Sequence, residues 1–314
     1  MSKKGRPTTG RLTLRKAESA SRKGAEFSLE LALSIACGLL TATGFGTADF
    51  IAKLSTTRAG FLRTALLMQA MGGALLLPFV LSDSSRLFLQ PWGVLGGVLL
   101  GVVNALATIS LYKGFEVGRL SVVSPIASCS PVVTVLLAVS FLGERLTKEH
   151  ILGISLVMIG IVLVSIQTGQ ENMPKKLGRG VVYAVLFMIL GGSVLFGLKP
   201  VSHLLGVYLP VLLMRWVGVP VIALAFLAWR PKGAIRLNAL SFIFAVSVFD
   251  TFANVIYNVG VSVGTVSIVS TVGGLFSAVT VLLAWAVLKE RITRHQIFGF
   301  AAIVAGITIL GFIG

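Results

Sequence analysis

The chain has 314 residues, of which 55% are hydrophobic and 12% charged, and its mean hydropathy is +0.94. A soluble protein of this length cannot bury so large an apolar fraction, so the composition excludes a soluble globular domain and indicates several membrane spans. The formal net charge of +16 would suggest nucleic acid in a soluble protein, but the basic residues here occupy short loops and an amino-terminal tail. Membrane topology and anionic lipid account for this charge, and we expect no nucleic-acid partner.

The first segment, residues 1–28, is rich in Lys and Arg and has no apolar stretch. This composition predicts a basic, disordered tail, which we place in the cytoplasm; a cleaved organelle transit peptide is the alternative. Cys37 and Cys129 both lie in apolar runs. They predict buried free thiols, so we expect neither a disulfide nor a metal site, and no cofactor is expected.

Ten apolar runs approach the length of about 20 residues that a helix needs to cross the hydrocarbon core of a bilayer. The first five are Leu29–Ile51, Phe61–Leu81, Gly93–Tyr112, Val122–Leu142 and Ile151–Ile166. The second five are Val181–Leu198, Tyr208–Trp229, Leu240–Val261, Val266–Leu288 and Ile297–Ile313. The loops between them are short. The pattern predicts an all-α integral membrane protein with ten transmembrane helices.

The second half of the chain repeats the first at a constant offset of 146 residues, and Ser121–Thr147 recurs as Ser267–Thr293. Such a repeat defines the fold more strongly than any local pattern. The predicted units are a first five-helix repeat at 29–168, a linker at 169–180 and a second five-helix repeat at 181–314. Because five is odd, the second repeat enters the bilayer from the opposite side. We therefore expect two inverted repeats related by a pseudo-twofold axis in the membrane plane.

The basic residues of the loops and those of the tail favour opposite orientations of the chain in the membrane. With the tail in the cytoplasm, the loops on the opposite side carry more Lys and Arg than the cytoplasmic loops. The positive-inside rule applied to the loops alone therefore favours the reverse orientation, whereas the dense tail favours a cytoplasmic amino terminus. We place the tail in the cytoplasm and expect a multi-pass protein of a bacterial-type plasma membrane.

Two acidic residues, Asp49 and Asp250, fall within apolar runs. Asp250 is near the middle of its run, where a charge costs at least about 2.5–3.5 kcal/mol unless it is paired, protonated or hydrated. Asn254, Tyr257 and Asn258 follow at spacings that place them on the same helix face. We expect this face to line a polar cavity. Asp49 lies close to a helix end, and an interfacial position is an equal alternative for it.

The offset of 146 residues gives Asp250 an equivalent, Asn104, and Tyr112 follows eight residues later on the same predicted helix. It also superposes Gln69 on Arg215, both well inside their apolar runs. Arg215 is the expected counter-charge for Asp250. Either this pair takes part in substrate binding or coupling, or it only ties two helices together.

Helix-breaking residues recur at matching places in the two halves. Pro125 and Pro131 interrupt the fourth run, and Gly273 and Gly274 fall between the equivalent positions of the ninth. Interrupted helices at corresponding positions of inverted repeats indicate a binding site at the midplane of the bilayer. For each of these residues singly, a packing kink is the alternative.

A stripe of small residues, Gly93, Gly97 and Gly101, follows one face of the third run. Small residues let another helix approach closely. Packing within the bundle is the favoured interpretation, and a homodimer interface is the alternative.

The sequence lacks a phosphate-binding GxxxxGK[ST] loop, an HExxH motif and a GxSxG nucleophile elbow. We therefore expect neither an ATP-driven pump nor an enzyme. The Glu-Arg pairs that begin at Glu144 and Glu290 close the fourth and ninth runs, where they are expected to anchor helix ends.

Each half closes its fourth helix with Glu-Arg-[Leu/Ile]-Thr, at Glu144–Thr147 and Glu290–Thr293, and its first helix with a small-residue and aromatic motif, at Gly46–Phe50 and Gly192–Phe196. This arrangement resembles the EamA-type members of the drug/metabolite transporter superfamily over nearly the whole chain after the tail. Phe45 stands where the usual pattern has tryptophan. The resemblance implies a ten-helix bundle with cytoplasmic termini, a central cavity, and secondary transport, often export, of amino acids or other small metabolites.

The sequence therefore predicts a secondary active transporter, expected to export a small metabolite such as an amino acid by alternating access around a central midplane cavity. Asp250 would bind a coupling proton or a cationic group, and Arg215 an anionic one. The expected partners are the small-molecule substrate, the lipid bilayer and a proton as coupling ion. The alternatives are a transporter of sugars, nucleotide sugars or sugar phosphates with the same fold, or a channel or non-transporting membrane scaffold.

Overall fold

The computed structural model describes residues 9–82, 90–117, 123, 126–165, 177–229, 237–288 and 294–312, and this part of the chain is helical without a strand. The first half contributes α1 (Thr9–Ala59), α2 (Phe61–Leu81), α3 (Pro91–Val117), α4 (Ser130–Phe141) and α5 (Lys148–Ser165). The second half contributes α6 (Leu177–Leu205), α7 (Tyr208–Trp229), α8 (Leu237–Val263), α9 (Val266–Gly273), α10 (Phe276–Leu288) and α11 (Arg294–Phe312).

Seven stretches of the described chain are long and apolar enough to cross a membrane by length and composition. They are Leu29–Thr56, Phe61–Leu81, Pro91–Gly114, Gly180–Leu205, Tyr208–Trp229, Ala239–Val263 and Val266–Val287. Ser130–Phe141 and Arg294–Leu310 are shorter apolar helices. Large apolar side chains such as Trp92, which is 78% exposed, lie on the outside of the bundle. Such an apolar surface suits contact with lipid rather than water.

Helix α1 extends further towards the amino terminus than the composition of the tail predicts. Residues 9–28 were expected to be disordered, but they continue the helix that forms the first span. Leu, Arg, Lys, Ala and Glu are strong helix formers, and adding turns to an existing helix avoids the cost of nucleating a new one. The polarity of the tail alone therefore did not distinguish a helix from a disordered segment.

The helix boundaries repeat with the sequence. Both ends of α3 shift by the same 146 residues onto the two ends of α8, which spans Leu237–Val263. The turns repeat as well, because Gly60 between α1 and α2 has a φ angle of 81° and Gly206 between α6 and α7 one of 77°. This left-handed conformation favours glycine at both turns.

One contact between the halves occurs as an exchanged pair. The hydroxyl of Thr134 in α4 donates to the carbonyl of Gly192 in α6 at 2.9 Å. The hydroxyl of Thr280 in α10, at the equivalent position, donates to the carbonyl of Gly46 in α1 at 3.1 Å. This contact from the first half to the second thus has a counterpart in the opposite direction.

Helices α5 and α11 pack against each other through glycines. A Cβ atom at Gly160 would lie 2.6 Å from the carbonyl oxygen of Gly299, and one at Gly299 would lie 2.8 Å from that of Gly160. Gly153 and Gly306 approach in the same way. Since both pairs require the absence of a side chain, the backbones of α5 and α11 are in direct contact.

The glycine stripe of α3 faces helices of the second half of the bundle. A Cβ atom at Gly97 would meet Leu213, and one at Gly101 would meet Val217, both in α7. Gly93 lies against Leu205 at the end of α6. The stripe therefore packs within the chain.

Two breaks interrupt helices in the middle of the bundle. Helix α9 ends at Gly273 and α10 begins at Phe276, so Gly274 falls in the break. Helix α4 begins at Ser130 directly after a turn, and Pro131 occupies its first turn, where a missing N–H costs nothing. Pro125 lies outside the described residues.

Candidate functional site

A cavity of about 930 Å³, counting its open mouth, lies between the two halves. Helices α1, α2, α3, α4, α6, α7, α8, α9 and α10 contribute to its wall. The predicted site residues in that wall are Asp49, Asn104, Tyr112, Arg215, Asp250, Asn254 and Tyr257, together with Pro131, Gly273 and Gly274 at the helix breaks. The polar face of α8 and its equivalent on α3 therefore meet in one space.

The wall of the cavity is built largely from equivalent positions of the two halves. Seven pairs of lining residues are related by the 146-residue offset: Thr41 and Phe187, Phe45 and Gly191, Asp49 and Leu195, Asn104 and Asp250, Thr108 and Asn254, Leu111 and Tyr257, and Ser130 and Phe276. The positions are equivalent, but the side chains differ in every pair. Equivalent positions of the two repeats thus line one cavity, while the chemistry of its wall is asymmetric.

An ion pair joins α7 and α8 in the wall of the cavity. One terminal guanidinium nitrogen of Arg215 contacts Oδ2 of Asp250, and the other donates to Oε1 of Gln69 at 2.9 Å. The Arg215 side chain is only 2% exposed, whereas that of Asp250 is 21% exposed. The buried charge of Arg215 requires such partners, because removing an unpaired charge from water costs several kcal/mol.

The Asp250 carboxylate also has a neighbour on its own helix. The Nδ2 group of Asn254 donates to Oδ2 of Asp250 at 3.2 Å and to its backbone carbonyl at 2.8 Å. Gln69, Arg215, Asp250 and Asn254 therefore form one hydrogen-bonded chain from α2 to α8. Gln69 is fully buried and does not itself line the cavity, so its role is to hold the guanidinium.

Asp49 lines the same cavity as Asp250. It is half-buried, and within the described part of the chain its carboxylate has neither a hydrogen-bond donor nor a cation as partner. Asp49 thus contrasts with Asp250, whose charge is balanced by Arg215. An uncompensated carboxylate inside a membrane protein is expensive, and functional sites are where such groups persist.

A second polar group in the wall is free to bind a ligand. The side-chain amide of Asn104 has no hydrogen-bond partner among the described residues, although its backbone carbonyl accepts from Thr108 at 2.9 Å. Asn104 is half-buried and lies in α3 within the cavity wall. An amide carries two donors and an acceptor, so it can meet a neutral polar group of a ligand.

The polar groups of three other predicted residues form contacts within the protein. The Tyr257 hydroxyl donates to the carbonyl of Leu195 at 3.0 Å, and the Asn258 amide donates to that of Val207 at 2.6 Å. The Tyr112 hydroxyl approaches the sulfur of Met68 at 4.0 Å. Asn258 is absent from the cavity wall, so its position on the polar face of α8 serves the contact with the turn before α7.

The sequence reasoning missed the aromatic part of the wall. Phe45, Phe187 and Phe276 all line the cavity, and the rings of Phe45 and Phe276 meet edge to face with centroids 6.4 Å apart. Nothing distinguishes these residues among the phenylalanines of the apolar runs. The repeat supplies the missing signal, since Phe276 and Phe187 are equivalent to the cavity residues Ser130 and Thr41.

A contact near the amino terminus of α9 ties the halves together. The carboxylate of Glu144 accepts from the backbone N–H groups of Val266 at 2.7 Å and Ser267 at 3.0 Å, and from the Ser267 hydroxyl at 2.5 Å. Lys199 approaches the same carboxylate at 3.6 Å. The negative charge caps the helix whose other end, at Gly273, lines the cavity. Glu144 therefore anchors a helix end, while Glu290 lies outside the described residues.

Comparison with known proteins agrees with this architecture. The profile of the EamA-like transporter family matches residues 32–166 and again residues 178–312. An uncharacterized protein of Methanocaldococcus jannaschii is 29% identical over 133 residues, which are 42% of this chain and 96% of that protein. One crystal structure of a protein superposes with a TM-score of 0.77 at 16% sequence identity, covering 89% of this chain and 96% of that chain. At this identity the likeness shows the fold alone.

The family match and the apolar helices identify a multi-pass membrane protein of the drug/metabolite transporter superfamily, and members of the EamA family are transporters rather than enzymes. The chain belongs to the EamA-like transporter family, with two copies of the family's repeat. A membrane transporter of this kind works in a lipid bilayer on a small-molecule substrate.

Proposed function

We propose that this protein is a secondary transporter that moves a small metabolite, such as an amino acid, out of the cell by alternating access. The observation that carries the proposal is the cavity between the halves, lined by seven pairs of repeat-equivalent residues. A site on the symmetry axis faces one side of the membrane when one half rocks, and the other side when its counterpart rocks.

The arrangement of the helices in the membrane is part of this proposal. Ten spans in two inverted five-helix repeats give the two halves opposite orientations in the membrane. The exchanged contacts of Thr134 and Thr280 support this arrangement. The broken helices support the same arrangement, since α9 and α10 are separated at Gly274, beside the cavity. We place the amino-terminal tail in the cytoplasm and the protein in the plasma membrane.

The acidic groups of the cavity suit coupling to protons. Asp250 and Asp49 both face the space through which the substrate passes. Asp250 is balanced by Arg215, whereas the described residues offer no cation to Asp49, so Asp49 is the stronger candidate for a group that exchanges a proton during the cycle. Secondary transporters use such intramembrane carboxylates to link substrate movement to an ion gradient.

A binding and transport assay tests this function. The purified protein is screened for thermal stabilisation by amino acids, amines, sugars, nucleotide sugars and sugar phosphates, and each ligand found is followed in proteoliposomes with and without a pH gradient. A ligand present at about 100 times its dissociation constant stabilises the folded state by about 2.7 kcal/mol, which such a screen detects. We expect saturable flux that responds to the gradient. Flux that rises linearly with concentration and ignores the gradient would identify a channel, and the absence of flux for every ligand class would refute transport.

A further inference from the structure

The charges of the cavity wall narrow the class of substrate. Two carboxylates, Asp49 and Asp250, and one guanidinium, Arg215, belong to the described wall, which contains neither lysine nor histidine. Because Arg215 and Asp250 form an ion pair, their charges cancel, and the carboxylate of Asp49, when ionised, gives the described wall a net charge of −1. In a space with a low dielectric constant such a charge attracts a cation and repels an anion.

The guanidinium of Arg215 is poorly placed to receive a carboxylate from a ligand. One terminal nitrogen binds Asp250 and the other binds Gln69, while a Cβ atom at Gly72 of α2 would lie 3.3 Å from Nε. A ligand carboxylate would therefore have to displace Asp250, which would then become a second unpaired carboxylate beside Asp49. The described wall thus provides a carboxylate that can pair with a cation, but its one guanidinium is already engaged and offers no charge to an additional anion.

The rest of the wall suits an apolar or aromatic ligand body. Phe45, Phe187 and Phe276 line the cavity together with Leu111. Phe45 lies one turn before Asp49 on α1, so an aromatic ring and the free carboxylate share a helix face. Aromatic rings attract ammonium groups through their negative faces, and they pack well against an apolar ligand. The free amide of Asn104 adds a neutral polar contact on the facing helix α3.

We propose that the cavity binds an organic amine with an apolar body and no free carboxylate, whose ammonium group pairs with Asp49. This inference rests on the proposed transport function and replaces a zwitterionic amino acid by an amine with a net positive charge. During transport the ammonium group and a proton occupy the Asp49 carboxylate in turn, so that the cavity is never left with its uncompensated charge.

Four matched probes test the inference on the full-length protein in detergent. Phenethylamine is a cation, phenylalanine adds a carboxylate to it, 2-phenylethanol is neutral, and 3-phenylpropanoate is an anion. Their dissociation constants are measured by calorimetric titration. We expect phenethylamine to bind at least about ten-fold more tightly than phenylalanine or 2-phenylethanol, and 3-phenylpropanoate to bind least. A charge pair at short range in a protein contributes more free energy than a ten-fold difference in affinity requires.

The variant Asp49→Asn removes the charge and keeps the size of the side chain. The variant should bind phenethylamine at least about ten-fold more weakly and bind 2-phenylethanol as the wild type does. Unchanged binding of 2-phenylethanol also shows that the variant is folded. Glu149→Gln, at an exposed acid outside the cavity, should bind all four probes as the wild type does. Equal binding of phenethylamine and phenylalanine, unchanged amine binding in Asp49→Asn, or binding of no probe would each overturn the inference.

Transport of the same probes separates this inference from the proposed function. If phenylalanine, a sugar or an anion moves into proteoliposomes with saturable kinetics and phenethylamine does not, the protein is a transporter and the amine assignment is wrong. If phenethylamine binds in an Asp49-dependent way but neither it nor any other class of ligand crosses the membrane, the transport function fails instead.

Discussion

Gln69 and Arg215 occupy equivalent positions of the two repeats, 146 residues apart, and they are hydrogen-bonded to each other at 2.9 Å. Two equivalent residues can touch only where the symmetry axis passes between them. Helices α2 and α7 therefore cross at the axis, and the ion pair of Arg215 with Asp250 lies beside it. The hydrogen bond between Gln69 and Arg215 thus lies where the two repeats meet.

The first prediction concerns the ion pair. Arg215→Ala should lower the free energy of unfolding by about 3–5 kcal/mol, because it leaves the half-buried carboxylate of Asp250 without its partner. The double variant Arg215→Leu with Asp250→Leu should lose less free energy of unfolding than either single Leu variant, since no unpaired charge remains. Unfolding in detergent, followed by denaturant titration, measures all of them. Losses that simply add would show that the two residues do not depend on each other.

The second prediction separates two asparagines of the polar faces. Asn104→Leu should reduce ligand affinity while leaving stability unchanged, because this amide faces the cavity and has no partner in the described part of the chain. Asn258→Leu should do the opposite, since its amide is fully buried and donates to Val207 at 2.6 Å. The expected loss of stability is about 1–3 kcal/mol for the carbonyl left unpaired. Ligand titration and thermal unfolding of both variants check the contrast, and equal effects would contradict it.

The third prediction concerns the anchor at the amino terminus of α9. Glu144→Ala removes the acceptor of the backbone N–H groups of Val266 and Ser267, both of which are fully buried. Each unpaired group costs about 1–3 kcal/mol, so a clear fall in melting temperature is expected. Glu30→Ala is the matched control, because this acid is exposed on α1 and no change is expected. A similar melting temperature for both variants would rule out the anchor.

The fourth prediction tests the glycine contact between α5 and α11. Gly160→Ala and Gly299→Ala should each destabilise the protein, because the new methyl group would lie within 2.6 and 2.8 Å of the facing carbonyl oxygens. Overpacking of this kind costs about 1–3 kcal/mol. Ala301→Val adds methyl groups at an exposed position of α11 and should be tolerated. If the glycine variants unfold like this control, the two helices are not in direct backbone contact.

Much of the fold follows from hydropathy and the repeat. The bounds of α2 and α7 agree with the predicted runs Phe61–Leu81 and Tyr208–Trp229, because glycine turns and polar residues delimit them. The shortness of α4 does not follow, since an apolar run gives no sign of where the chain leaves a helix at a turn such as Ser128–Cys129. The helical continuation of α1 into the basic tail was likewise not evident from the polarity of the tail, although its residues are good helix formers.

The candidate site could be predicted in part. The 3.6-residue period places Asp250, Asn254 and Tyr257 on one face, and the offset assigns their equivalents. Whether a polar residue faces the cavity or a neighbouring loop depends on tertiary packing, which is why Asn258 falls outside the wall. Whether Asp49 lines the cavity likewise depends on how α1 packs against its neighbours, which no local pattern encodes.

The central claim is that the cavity opens to each side of the membrane in turn, and thiol accessibility at Thr108 tests it most directly. Thr108 is half-buried in the cavity wall, and Cys37 and Cys129 are replaced by serine beforehand. Thr108→Cys is then exposed to a membrane-impermeant thiol reagent in right-side-out and in inside-out vesicles, with pH gradients of both directions. We expect labelling from both sides, with rates that the gradient shifts in opposite directions. Labelling from one side only, under every gradient, would contradict alternating access.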